Sequence, residues 1–106
     1  MLSKIFSLFE KKEEKSLRLI ENHALYYYSS CPFCFQVQIM MKKLSIDMEL
    51  RNIHQVSKHR NELQKGGGST VVPCLRIEKD GKIEWLYESA DINQYLVQNF
   101  KVVEAD

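Results

Sequence analysis

From Pro32 onward, apolar residues recur at three- and four-residue steps, at Val37, Met40, Met41 and Leu44, while Gln36, Gln38, Lys42 and Lys43 supply a polar face. That period predicts an amphipathic helix running from Pro32 to about Leu44 or Ser45. Ahead of it, Ala24 to Ser29 is an aromatic run flanked by polar residues, a strand pattern that Ser29 and Ser30 interrupt. Met48, Leu50 and Ile53 alternate weakly as a second strand. Ser57 offers a side-chain cap for a second helix carrying Leu63, and Gly66, Gly67 and Gly68 end it, because successive glycines support a helix interior poorly. Val71 to Glu78 predicts a third strand, with a hairpin turn at Lys79-Asp80-Gly81-Lys82 and an antiparallel return over Ile83 to Tyr87. Ser89 is placed to cap a last helix in which Ile92, Tyr95, Leu96 and Phe100 share one face.

The resulting order is strand, helix, strand, helix, strand, strand, helix. Two strands joined through a helix form a parallel pair with a right-handed crossover, and the Asp-Gly hairpin adds an antiparallel edge. The expected fold is α/β, a four-stranded mixed sheet with flanking helices, over residues 23–106. Residues 1–22 read as an amphipathic N-terminal extension, with Leu2, Ile5, Phe6 and Phe9 at helical spacing followed by the charge run Glu10 to Lys15. Such a segment either packs on the domain or makes weak membrane-surface contact through residues 1–15, and its near-cancelling charges favour the first.

Composition narrows the function classes. A chain of 106 residues suits a single domain. A net charge of +1 gives no electrostatic case for nucleic-acid binding. No apolar run approaches the ~18 residues of a membrane-spanning helix. Three cysteines without a cleavable apolar signal point to a reducing cytoplasmic setting.

The candidate chemistry lies in Cys31-Pro32-Phe33-Cys34. Cys31 falls where the first strand gives way to the helix, and unpaired N–H groups with the positive end of the helix dipole favour a thiolate there. Cys34 lies one turn further on the same side, within reach of a disulfide, and Pro32 suits the first turn because its missing N–H breaks no bond. A redox couple, half a zinc site and two inert buried thiols compete for the pair. Zinc wants four ligands, and only Cys74 and three scattered histidines remain, so no metal site is expected. A CxxC opening a helix after an aromatic strand favours redox chemistry over inert thiols. His23, His54 and His59 read as solvated side chains, and Cys74 as a small buried thiol in a strand.

Cys31-Pro32-Phe33-Cys34, Val72-Pro73 and Tyr87-Glu88-Ser89-Ala90-Asp91-Ile92 together resemble the glutaredoxin family of the thioredoxin fold, over about residues 24–100. The Glu-Ser pair and Val-Pro-Cys-Leu are closer to glutathione-transferase-like glutaredoxins and to the amino-terminal domain of glutathione transferases. The resemblance implies a thioredoxin-like fold and a glutathione-dependent thiol-disulfide oxidoreductase. Cys31 and Cys34 would be catalytic, glutathione the cosubstrate with no bound cofactor, and disulfide or glutathionylated proteins the partners. It also implies a cis Pro73, with the Val72 backbone pairing with the cysteinyl part of glutathione, Phe33 lining the site, and Glu88 and Ser89 holding the γ-glutamyl end. Tyr28 stands where many small glutaredoxins have a basic residue for the glycyl carboxylate. The helical second domain of transferases has no counterpart after Phe100, which disfavours a conjugating transferase. The rival expectation is a non-catalytic module that binds glutathione or an iron-sulfur cluster; a reductase served by a thioredoxin-reductase-like protein is a second.

Overall fold

The computed structural model describes residues 17–101. Of the extension expected over residues 1–22, residues 1–16 lie outside them, and residues 18–22 belong to the first strand of the sheet. Strand β1 (Arg18–Tyr27) leads into helix α1 (Pro32–Lys43), then β2 (Ile46–Asn52), α2 (Ser57–Gly67), the hairpin β3 (Cys74–Lys79) and β4 (Lys82–Tyr87), and α3 (Ser89–Phe100). The sheet order is β2-β1-β3-β4, with β1 parallel to β2 and antiparallel to β3, and β3 antiparallel to β4.

Alternation of side chains across a strand splits the core into two faces. On one, Leu25, Leu75 and Ile77 meet Val37 and Met41 of α1 and Ile92 and Leu96 of α3. On the other, Tyr26 and Cys74 pack with Ile53 and with Leu63 of α2, flanked by Tyr28, Val72, Trp85 and Tyr87. Tyr26 also joins a polar tie on this face: Arg51 of β2 donates to its hydroxyl at 2.7 Å and to Glu62 of α2 at 3.1 Å.

Several elements depart from the expected boundaries. β1 starts at Arg18 rather than Ala24, because its pairing with β2 continues through a bulge between Leu19 and Ala24, where Asn22 takes φ 66°. β3 starts at Cys74 rather than Val71, after a cis Val72-Pro73 bond. Neither serine caps its helix: Val56 and Glu88 occupy the N-cap positions, and Ser57 and Ser89 are the first helical residues. Gly66 and Gly67 lie inside α2 and Gly68 is its left-handed C-cap. A Cβ on Gly66 would run into the Trp85 ring and one on Gly67 into the Tyr87 hydroxyl, so the glycines let α2 lie directly on β4. At the opposite end of the sheet from Cys31, the Arg18 side chain donates to the carbonyls of Leu44 (2.9 Å) and Phe100 (2.5 Å), where α1 and α3 finish.

Candidate functional site

Tyr26, Cys74 and Tyr87 form one row across β1, β3 and β4. Just past this row come Cys31 after β1, Val72-Pro73 before β3, and Glu88-Ser89 after β4. Three segments far apart in sequence therefore meet at one end of the sheet, because β1 and β4 run toward that end and β3 starts from it.

Cys31 is the N-cap of α1, and its sulfur accepts the backbone N–H of Cys34 at 3.2 Å. A cysteine sulfur thus does the work usually given to an oxygen of Ser, Thr, Asp or Asn, where the free N–H groups and the helix dipole favour negative charge. Cys31 is 4% exposed and Cys34 1%, and both are free thiols. Burial, and then a hydrogen bond to the Cys31 sulfur, push the Cys34 thiol up to about 12. Cys34 accordingly keeps its proton at neutral pH. Phe33, between them, is 57% exposed and forms an apolar lip.

Pro73 is buried and Val72 half-buried, and the strand ladder begins only at Cys74, which leaves the Val72 backbone outside it. Glu88 is exposed and takes φ 77° and ψ 118°, an unusual shape for a residue with a side chain, and Ser89 behind it opens α3. Cys74 faces the α2 side of the sheet at 0% exposure, and burial pushes its thiol up to about 12.

The histidines differ from the solvated reading. His23 bonds the Tyr95 hydroxyl at 2.8 Å, and His59 sits 3.4 Å from Glu62. His54 is exposed, but its ring stacks on Tyr28 with centroids 4.1 Å apart and planes at 8°. Tyr28 is joined to Cys31 by a backbone bond of 3.3 Å, so His54 stands at the rim of the cysteine site. Buried Asn52 holds this loop, its Oδ1 accepting from His54 N at 2.8 Å and Gln55 N at 3.1 Å. Local spacing could not reveal the stack, since Tyr28 follows β1 and His54 follows β2. Among the described residues no group of three or more His, Cys, Asp or Glu is arranged to hold a metal ion, and no helix is long and apolar enough to cross a membrane.

The sequence pattern of the family described as "Glutathione S-transferase, N-terminal domain" matches residues 25–103. The chain belongs to this family. Among solved structures, this glutathione S-transferase N-terminal domain is similar to maleylacetoacetate isomerase from Anaeromyxobacter dehalogenans with bound GSH, at 21% identity and TM-score 0.59, over 74% of this chain and 38% of that one. It is similar to an epsilon-class glutathione S-transferase from the housefly, Musca domestica, at 26% identity and TM-score 0.55, over 74% and 35%. A thioredoxin-like protein matches at 21% identity and TM-score 0.59, over 77% of this chain and 100% of that one, in keeping with a thioredoxin-like fold. The chain spans little more than a third of the length of the two enzymes. No curated protein sequence matches it. The glutaredoxin resemblance is a narrower assignment than this transferase-domain membership.

Proposed function

We propose that this domain is a glutathione-dependent thiol-disulfide oxidoreductase. The observation that carries the reading is the Cys31 sulfur serving as the cap of α1 beside the protonated Cys34 thiol, at the sheet end shared with Val72-Pro73 and Glu88-Ser89. The two thiols have different environments and divide the work. Cys31 as thiolate attacks the glutathione sulfur of a glutathionylated protein; the Cys31–glutathione disulfide forms, the substrate disulfide breaks, and the protein thiolate leaves to take up a proton. A second glutathione thiolate then attacks the glutathione sulfur of that mixed disulfide, releasing oxidised glutathione and regenerating Cys31. On the dithiol route Cys34 loses its proton and attacks the Cys31 sulfur, expelling the bound partner as a thiolate and leaving a Cys31–Cys34 disulfide that two glutathione molecules reduce.

Glutathione would lie with its cysteinyl backbone along Val72, Pro73 beneath it and Phe33 at the lip. The Glu88 carboxylate would receive the γ-glutamyl ammonium, and the start of α3 at Ser89 its carboxylate. The glutathione-bound isomerase among the similar structures supports this choice of thiol ligand.

A glutathione-coupled disulfide reduction assay on the wild type, Cys31→Ser and Cys34→Ser tests the reading. Cys31→Ser is expected to lose turnover, and Cys34→Ser to keep deglutathionylation while losing the dithiol route. Normal turnover by Cys31→Ser would overturn the mechanism. Family membership also favours a second reading, the glutathione-binding part of a transferase, and conjugation of glutathione to an aryl halide without disulfide reduction would select it.

A further inference from the structure

We propose that the groove between α1 and β2 is the docking site for this chain's own N-terminal segment, residues 2–9. This contact does not depend on what the cysteines do.

The groove exists because β2 lies at the edge of the sheet. Side chains alternate along the strand, so Ile46, Met48 and Leu50 turn to the face that carries α1; the first two are buried there, but Leu50 is 41% exposed. Across from it, Phe35 and Ile39 stand one turn apart on α1, 60% and 39% exposed. Together with Leu17 these residues line a groove of about 900 Å³, bordered by Lys42 and Asp47. Large apolar side chains gathered in one concave surface mark a place where something binds.

The sequence supplies an occupant that matches in pattern, length and reach. On α1 the groove is lined by Phe35, Gln38, Ile39 and Lys42, which share one face of the helix. Leu2, Ile5, Phe6 and Phe9 repeat that spacing with an apolar residue at every position. A helix over such a stripe rises about 10 Å, and a strand wall from Ile46 to Leu50 is about 13 Å long. Leu17 already lies in the groove, and the N–H of Arg18 beside it donates to the Ser45 carbonyl at 2.8 Å, so the chain enters the domain at one end of the groove. The link from Phe9 to Leu17 reaches up to about 28 Å when extended, about twice the length of the wall, which lets the segment turn back along it. Glu10 to Lys15 are all charged and suit the solvated part of that turn. A tether this short holds the segment at the groove at an effective concentration on the order of millimolar, which favours it over a second copy of the chain.

Nuclear Overhauser spectra of the full chain test the docking directly. Contacts from Ile5 and Phe6 to Ile39 and Leu50 are expected, and they should be missing from the isotope-filtered spectrum of a mixture of labelled and unlabelled chains. Urea unfolding gives a second readout, with far-UV circular dichroism as the check of folding. Phe6→Ser is expected to lower the midpoint by about 0.5–1 M, and to lower it equally across about a hundredfold range of protein concentration. In an Ile39→Asp or Leu50→Asp background, where a charge already bars the groove, Phe6→Ser should leave the midpoint unmoved. Contacts found only between differently labelled chains would give the groove to a second copy, and a segment without contacts to it would leave the groove to another ligand; either overturns the inference. So does a Phe6→Ser effect that persists in full in both groove variants.

Discussion

Glu88 combines an unfavourable backbone shape with an exposed side chain that contributes nothing to the core. Residues held in such conformations cost on the order of 1–3 kcal/mol, and glycine escapes most of that cost. Glu88→Gly is therefore expected to raise the melting temperature by about 4–8 °C, the shift that 1 kcal/mol gives a domain of this size, while weakening glutathione binding. Calorimetry of both quantities on one sample checks it, and an unchanged affinity would remove Glu88 from the site. The pattern Glu88-Ser89 was visible in the sequence, but its backbone shape was not. A serine before an apolar helix is ordinarily a cap, and here the turn out of β4 places the preceding glutamate in that position instead. The Tyr28–His54 stack was hidden for a different reason, since it joins the exits of two parallel strands and leaves no local periodicity.

At the scale of elements, α2 is held to the sheet by shape on one side and charge on the other. Gly66 and Gly67 bring it against Trp85 and Tyr87, while Arg51 links Glu62 to the Tyr26 hydroxyl. Gly66→Ala forces the helix or the indole to move, and a loss of about 1–3 kcal/mol is expected in urea unfolding, the usual cost of overpacking. An unaffected midpoint would show that the contact yields freely. Gly68 marks the end of the helix as expected, but Gly66 and Gly67 lie inside it, and the close approach they permit was concealed because the aromatic partners belong to another part of the chain. Elements with a strong period were legible: Val37, Met41 and Leu44 are all buried, and Asp80-Gly81 makes the hairpin turn with φ 54° and 77°. The start of β1 was not, because Glu21 and Asn22 look like a loop and the bulge that absorbs them depends on pairing with β2.

For the whole molecule, protonated groups buried beneath or beside the site set an alkaline limit. Burial is the leading cause that pushes Cys34, Cys74 and Tyr87 each up to about 12. Since these values are raised by folding, the folded state retains protons that the unfolded chain surrenders. Their contribution is complete below the ordinary thiol range and is lost as pH rises toward 12, by up to about 1.4 kcal/mol per pH unit for each thiol. Unfolding free energies measured between about pH 8 and about pH 11 should fall steadily, and Cys74→Ala should flatten the fall. A flat wild-type profile would contradict the burial of these groups as proton-bearing forms. The clasp formed by Arg18 acts on a different property. By joining the first strand to the carbonyl of Phe100, it sets the entry and exit of the described domain side by side, at the pole away from Cys31. A domain with adjacent ends is readily recombined, whether inserted into a host loop, fused at either side or circularly permuted, and here such rearrangements would leave the thiol-bearing pole open to solvent.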